Sequence, residues 1–419
     1  MTAHLPVNAA RLEANLKALA TFGGSLQGGV AREALTPQDL QARQWLAARF
    51  ANRPGYVVGI DAAANLHIRR LGRYPDEPVV MTGSHVDTQP LGGWLDGAFG
   101  VMAGVEVLDA LDDAGVSTQR SLEVVAWTNE EGSRFAPGLM GSQCYVDPAT
   151  LDALLPVTDA AGIAFETARN AALQDFARCA AQSHWQVWDA VLAAPVHAYI
   201  EAHIEQGPVL EREGLGLGIV QAIQGVRWYQ VTVRGRCAHA GTTPLADRDD
   251  AQAKAIAMAH ALYRYAQTCG DDDLRVTIGR WSCQPDSINT IADQVQFTVD
   301  VRHPDADAVA AFDAYLQQHC VADATVKRLQ DKPTIWFDPA LLELLNTAAV
   351  ERGIAHKKMV SGAFHDAMPM ARFAPTAMLF APSIRGISHH PEEHTHPADL
   401  ARCTQVLADC LLTLAHPVP

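Results

Sequence analysis

Three absences limit what this chain of 419 residues can be. No apolar run reaches the roughly 20 residues that span a bilayer, so we expect no membrane partner. The eight cysteines form no C-x-x-C pair and no compact framework, which is typical of reduced thiols and predicts a cytoplasmic protein. Basic residues are outnumbered by acids, and the net charge of −15 argues against a nucleic-acid partner.

The order of elements predicts two domains. The chain exceeds the size of about 250–300 residues at which a single hydrophobic core stops growing. Strands alternate with helices before residue 222 and again after 332, which predicts an α/β fold with a mixed, largely parallel sheet flanked by helices. Residues 222–332 have the β-α-β-β-α-β order of a ferredoxin-like unit, with one strand at 274–281. We therefore predict a larger domain of residues 1–221 and 333–419, with 222–332 inserted.

Six imidazole and carboxylate side chains lie near the ends of apolar segments. His85 follows the strand-like segment 78–82, and Asp96 lies in a glycine-rich turn. Because α/β proteins place their sites at the carboxyl ends of strands, we expect these groups to meet. Imidazoles and carboxylates together suit a pair of divalent metal ions, with zinc expected first and manganese, cobalt or nickel as alternatives. The six residues are His85, Asp96, Glu130, Glu131, His203 and His389.

The adjacent Glu130 and Glu131 are the most informative pair. Two neighbouring carboxylates repel each other unless a cation neutralises them. Since adjacent side chains diverge, one can bind a metal while the other faces the water that the metal activates. Asp87 lies two residues after His85, and we expect its carboxylate to accept the other imidazole N–H. The pattern therefore predicts a metallohydrolase with a carboxylate base.

Five motifs carry a resemblance to a known family. They are GSHVDT at 83–88, NEEGSRF at 129–135, HIEQGP at 203–208, HAGTTP at 239–244 and GISH at 386–389. With them the chain resembles the amidases that include N-carbamoyl-L-amino acid hydrolases, β-ureidopropionases and allantoate amidohydrolases, which are relatives of dinuclear zinc exopeptidases. The resemblance implies that Glu130 is the general base and acid. It also implies two metal ions per subunit, one held by His85, Asp96 and His203 and the other by Asp96, Glu131 and His389.

The same resemblance gives the inserted segment a role as a lid and dimerisation domain beside a catalytic domain. It implies a homodimer in which His239 polarises the carbonyl under attack, often from the neighbouring subunit. Asp87 joins Glu130 and His239 among the catalytic residues. Arg302 suits a bidentate clamp on a substrate carboxylate. Further substrate contacts are implied for Gln206, Asn289 and Gly362.

The expected reaction is hydrolysis of the ureido C–N bond of an N-carbamoyl-L-amino acid by a metal-bridging hydroxide, with release of amino acid, carbon dioxide and ammonia. Val226 weakens the case for allantoate, because allantoate-specific relatives tend to have a glutamine there. Phe364 predicts a bulkier pocket edge than in many relatives. Three alternatives stay open: an allantoate or N-carbamoyl-β-alanine amidohydrolase, an exopeptidase or aminoacylase on the same metals, and a binding protein that has lost catalysis.

Overall fold

The computed structural model describes residues 5–26, 28–320 and 324–416. The chain divides into two compact units. The first comprises Met1–Gln221, Phe337–Met359 and Phe364–Pro419, and the second comprises Ala222–Trp336 with Val360–Ala363. The second unit therefore contains residues 333–336 and 360–363 in addition to the predicted insertion of 222–332.

The part of the chain before the insertion supplies most of the first unit. Asn8 caps α1 by accepting a hydrogen bond from the Arg11 N–H at 3.0 Å, and Thr36 caps α2. The helices are α1 (Ala9–Ala20), α2 (Pro37–Ala48), α3 (Ala98–Asp113), α4 (Met140–Val146), α5 (Thr150–Leu154), α6 (Phe165–Ser183) and α7 (Val209–Glu213). The strands are β1 (Tyr56–Ile60), β2 (Leu66–Arg70), β3 (Val79–His85), β4 (Leu122–Trp127), β5 (Val196–Ile204) and β6 (Leu217–Ile223).

The second unit is an antiparallel sheet packed against two helices. Its sheet has the order β10-β12-β7-β13, and β9 pairs with the other end of β12. The helices are α8 (Ala251–Thr268) and α9 (Ala306–Cys320). The strands are β7 (Gly225–Arg234), β8 (Ala238–His239), β9 (Arg275–Thr277), β10 (Trp281–Gln284), β11 (Thr290–Ile291), β12 (Gln294–His303), β13 (Ala324–Lys332) and β14 (Ile335–Trp336).

The prediction of a single strand at 274–281 is wrong. The ladder pairs Thr277 with Asp300 and then Trp281 with Phe297, so this edge has one residue more than β12 over the same stretch. An extra residue on one strand of an antiparallel pair cannot be paired and bends the chain. The edge is therefore divided into β9 and β10.

The rest of the chain completes the sheet of the first unit. It forms α10 (Pro339–Glu351), β15 (His356–Ser361), α11 (Ala367–Met370), β16 (Thr376–Ala381) and α12 (Pro397–Ala415). The sheet runs β1-β2-β4-β3-β5-β16-β6, and its four central strands, β4 to β16, are parallel. The outer pairs are antiparallel. This is the mixed, largely parallel sheet that the sequence predicts.

The central parallel strands are apolar and buried. Every residue of β3, β4 and β16 is buried, as expected where helices cover both faces of a sheet. Helix α3 is buried along almost its whole length and packs on β3 and β5, and α12 packs on α3. Within the described ranges, no helix is both long and apolar enough to cross a bilayer.

A buried ionic cluster stands beside this core. His67 on β2 lies with Nδ1 2.7 Å from Glu123 Oε1 and with Nε2 3.1 Å from Asp61 Oδ2. Burial alone would lower the pKa of His67, but the hydrogen bonds to the two carboxylates outweigh it and raise the pKa to about 9. Arg69 pairs with the second oxygen of Glu123 at 2.6 Å. The imidazole is therefore a buried cation.

This cluster predicts a loss of stability on the alkaline side. The folded chain keeps the His67 proton up to a pH of about 9, whereas an unfolded histidine releases it near pH 6.5. The protonated imidazole therefore adds about 3 kcal/mol to the free energy of unfolding. This stabilisation is complete below pH 6.5 and is lost as the pH rises through 9. Urea unfolding between pH 6.5 and 9.5 should show this decline in the wild type and a flatter profile in His67→Gln. Identical slopes in the two proteins would contradict the assignment.

Candidate metal centre

Four strands of the first unit bring the predicted ligands to one edge of the sheet. His85 is the last residue of β3, and His203 is the next-to-last residue of β5. Glu131 follows β4 by four residues, and His389 lies in the loop after β16. Because these four strands are parallel, their carboxyl ends meet. Asp96 joins them from the turn before α3.

The structure assembles two sets of three ligands. In each set, the candidate ligand atoms lie within 4.8 Å of one another. Asp96 belongs to both sets. Its Oδ1 lies 3.2 Å from His203 Nε2, and its Oδ2 lies 3.0 Å from His389 Nε2. The sets are His85, Asp96 and His203, and Asp96, Glu131 and His389.

Backbone carbonyls fix the orientation of two of the imidazoles. His85 Nδ1 lies 2.8 Å from the Asp87 carbonyl oxygen, and His203 Nδ1 lies 2.9 Å from the Ile204 carbonyl oxygen. A carbonyl can only accept, so each Nδ1 carries the proton and each Nε2 presents a lone pair. His203 Nε2 lies 3.2 Å from Asp96 Oδ1 and accepts the backbone N–H of Gly97, also at 3.2 Å. The imidazoles are thus in the tautomer that a metal requires.

Asp87 supports the centre differently from the expected way. Its carboxylate lies 3.9 Å from His85 Nδ1 and does not accept the imidazole proton. Instead, its two oxygens accept the backbone N–H groups of Glu130 and Glu131, both at 3.3 Å. Burial raises the pKa of Asp87 to about 7. The carboxylate therefore holds the turn of the two glutamates, and the carbonyl of Asp87 takes the role predicted for its side chain.

Glycine is required where the α3 turn meets His85. Gly97 has a φ of +63°, and a Cβ atom at this position would lie 2.3 Å from His85 Nε2. Any side chain would collide with the imidazole and would occupy the space in front of its lone pair. The turn that carries Asp96 can therefore approach His85 only with glycine at its end.

Glu130 adds a third carboxylate at the edge of the cluster. Its Oε2 lies 3.5 Å from His85 Nε2, and its side chain is 9% exposed. Burial, followed by the charges of Asp366 and Glu131, raises the pKa of Glu130 well above its usual range. Burial and the charge of Asp96 likewise raise the pKa of Glu131 to about 8. Divalent cations would offset this repulsion, and the mixed imidazole and carboxylate donors fit them.

The predicted site residues of the second unit fall into two groups. His239 and Asn289 are neighbours, since β8 pairs His239 with Thr290 and the Ala240 N–H donates to the Asn289 carbonyl at 3.0 Å. Arg302 and Gly362 form the other group, with Arg302 Nη1 2.9 Å from the Gly362 carbonyl oxygen. Asp300 also pairs with the guanidinium at 2.8 Å. The carbonyl of Gly362 thus accepts from Arg302, and the substrate contact predicted for Gly362 stays a prediction.

A protein-family model matches residues 81–413, which include all five of the predicted ligands. Its description is peptidase family M20/M25/M40. The chain belongs to this family.

Curated relatives are similar over nearly their whole length. The N-carbamoyl-L-amino-acid amidohydrolase of Rhizobium meliloti is 34% identical, with 98% of this chain and 97% of the relative covered. The allantoate amidohydrolase of Escherichia coli is 35% identical, with 96% and 97% covered. A solved hydantoinase/carbamoylase family amidase from Burkholderia ambifaria is 39% identical, with a TM-score of 0.88 and 99% of each chain covered. This M20 chain is therefore an amidohydrolase, and the alternative of a binding protein without catalysis is set aside.

The M20 site contains polar groups that sequence reasoning missed or placed elsewhere. Gln89 Nε2 donates to Glu131 Oε2 at 2.7 Å, and Gln206 Nε2 donates to Asp96 Oδ2 at 3.0 Å. Gln206 thus contacts the candidate ligand Asp96, and the substrate contact predicted for it stays a prediction. Glu393 accepts the backbone N–H of Asp96 at 3.0 Å. Glu393 lies four residues after His389, which is a signal that the sequence offers. Glu392 directly precedes it, however, and spacing alone does not show which of the two glutamates lies in the site.

Proposed function

We propose that this amidohydrolase cleaves the ureido group of N-carbamoyl-L-amino acids. The observation that carries the proposal is the nearly buried Glu130 carboxylate, 3.5 Å from His85 Nε2, beside two ligand sets that share Asp96. The Rhizobium relative supports the substrate class through its name. One water and one N-carbamoyl amino acid give the amino acid, carbon dioxide and ammonia.

Two divalent metal ions fit the two ligand sets. His85, Asp96 and His203 would hold one ion, and Asp96, Glu131 and His389 would hold the other. When bound, such ions supply Lewis-acid polarisation of the ureido carbonyl and lower the pKa of water. Zinc is our first candidate because it favours imidazole and carboxylate ligands in this kind of set.

Glu130 is assigned to proton transfer. A carboxylate with a raised pKa can take a proton from the attacking water and keep it long enough to deliver it to the leaving nitrogen. The backbone N–H of Glu130 is held by Asp87, which limits the movement of this side chain. We therefore assign Asp87 to positioning the base.

His239 and Arg302 are assigned to the substrate. The Gly241 N–H donates to His239 Nδ1 at 3.0 Å, so the imidazole proton lies on Nε2, where it can be donated to a carbonyl oxygen. A donor of this kind contributes about 3–4 kcal/mol to transition-state stabilisation in other hydrolases. Asp300 orients the guanidinium of Arg302 for the substrate carboxylate, and Asn289 stands beside His239.

A homodimer formed through the second unit accompanies this proposal. β9 and β10 are paired with β12 on one side only, within the described residues, which leaves an edge for a second copy. Apolar side chains near this edge and on α8 are exposed, among them Ile256 at 54%, Tyr263 at 39% and Trp281 at 36%. In such a dimer, His239 would act on the site of the partner subunit.

A substrate panel tests the reaction. The zinc-supplied protein should release ammonia from N-carbamoyl-L-amino acids faster than from allantoate or N-carbamoyl-β-alanine, and it should not cleave dipeptides. Faster release from allantoate would favour a second candidate function, allantoate hydrolysis, which the similarity to the Escherichia coli enzyme supports. Cleavage of dipeptides or N-acyl amino acids without ammonia would instead indicate an exopeptidase or aminoacylase.

The base assignment predicts the behaviour of Glu130→Gln. The amide keeps the size of the side chain but cannot accept the proton, so kcat should fall by about 10²–10⁴-fold. The zinc content, measured by mass spectrometry, should stay that of the wild type. Glu77→Gln is the matched control, because Glu77 is an exposed glutamate paired with Arg120 at 3.0 Å. A kcat for Glu130→Gln within threefold of the control would rule out this role.

The dimer predicts the effect of a charge on α8. Ile256→Glu should shift the chain from dimer to monomer in sedimentation velocity, because the buried carboxylate would be left without a partner. Activity should fall in parallel if His239 acts across the dimer. Ile163→Glu is the control, since Ile163 is an exposed apolar residue at 41% in the first unit. A fully active monomer would refute the cross-subunit role of His239.

A further inference from the structure

Glu393 is buried, and both oxygens of its carboxylate form hydrogen bonds to the segments that carry Asp96 and His389. The residue is 2% exposed. Its Oε1 accepts the backbone N–H groups of Leu95 at 2.9 Å and of Asp96 at 3.0 Å. Asp96 is the ligand that both candidate metal sets share. Glu393 therefore holds the main chain at the point where the shared carboxylate leaves it.

The α3 turn is shaped to receive this carboxylate. A Cβ atom at Gly93 would lie 2.0 Å from Glu393 Oε1, so the glycine leaves the space that the carboxylate fills. The turn and the side chain are separated by 300 residues in the sequence, from Gly93 to Glu393. The close fit therefore joins two distant segments of the first unit at the metal centre.

The second oxygen of Glu393 reaches the loop that carries His389. Ser388 Oγ donates to Glu393 Oε2 at 2.8 Å and accepts from Gln206 Nε2 at 3.3 Å. Ser388 Oγ also lies 3.4 Å from Asp96 Oδ2. His389 itself has a φ of +55°, a left-handed conformation that is strained for a residue with a side chain. The loop therefore needs such a restraint to present His389 Nε2 to Asp96.

We propose that Glu393 is a positioning residue for the metal pair, which fixes Asp96 and His389 in one arrangement through the Leu95, Asp96 and Ser388 hydrogen bonds. This inference rests on the proposed dinuclear function. Outer carboxylates that orient metal ligands typically raise metal affinity by about 10–100-fold. The ion in the set of Asp96, Glu131 and His389 is the one whose affinity depends most on Glu393, because that set contains both ligands that Glu393 anchors, whereas the other set contains only Asp96.

The test measures zinc binding by the full chain. Wild type, Glu393→Ala, Glu393→Gln and Ser388→Ala are stripped with a chelator and titrated with zinc alone against a colorimetric zinc indicator. The melting temperature of each zinc-free protein is recorded as well. Asp338→Ala is the matched control, because Asp338 accepts the N–H groups of Ala340 and Leu341 at 2.9 and 3.0 Å at the start of α10, remote from the ligands in sequence.

The wild type should bind two zinc ions, and Glu393→Ala and Ser388→Ala should bind one of the two ions about 10–100-fold less tightly. Glu393→Gln should lose less, because its amide oxygen can still accept from the backbone and its NH₂ group can donate to Ser388. Asp338→Ala should lower the melting temperature without changing zinc affinity. Two ions bound with wild-type affinity in Ser388→Ala and in any folded Glu393→Ala would overturn the inference, as would an equal loss in Asp338→Ala.

The outcomes also separate this inference from the proposed function. Two zinc ions in the wild type with the expected losses in the variants, but without hydrolysis of any ureide, would leave the positioning role standing and remove the proposed reaction. A wild type that binds one zinc ion would overturn both the positioning of a metal pair and the dinuclear part of the mechanism. If Glu393→Ala does not fold, Ser388→Ala decides the question by itself.

Discussion

The carboxylate of Asp96 is the group on which the centre depends. It lies between His203 and His389 at 3.2 and 3.0 Å, although His203 is on β5 and His389 is in the loop after β16. A buried anion of this kind is unfavourable unless every oxygen has a partner. The residues around Asp96 supply those partners.

The residues that hold the candidate ligands in place come from elements at this same edge of the sheet. Arg43 on α2 donates to the carbonyls of Ala126 and Trp127 at 3.0 and 2.8 Å, which holds the end of β4 before the Glu130–Glu131 turn. Asp87 holds the amides of that turn from the next strand. Because each support is itself buried, small displacements are resisted by packing as well as by hydrogen bonds. The ligands are thereby ordered by the fold.

How far the sequence predicts this arrangement differs from residue to residue. His85 and His203 follow apolar strands, and the rule that sites lie at carboxyl ends places them correctly beside Asp96. The partner of His85 Nδ1 could not be predicted, because side-chain spacing in an extended strand ignores the turn that follows. The break between β9 and β10 depends on one unpaired residue, which no periodicity shows. Glu393 makes tertiary contacts across 300 residues of sequence, from Gly93, and its spacing from His389 does not distinguish it from Glu392.

The chain neutralises buried carboxylates in two different ways. At the His67 cluster the neutralising charge is internal: an imidazolium and Arg69 face Asp61 and Glu123. At the candidate metal centre, the imidazoles of His85, His203 and His389 lie within 3.5 Å of carboxylate oxygens of Asp96, Glu130 and Glu131. Two of those imidazoles present lone pairs, and protonating them would remove the ligands. Under the proposed function, divalent cations from outside the chain would supply that charge, which is what would distinguish a metal centre from a structural ion cluster built from the same residue types.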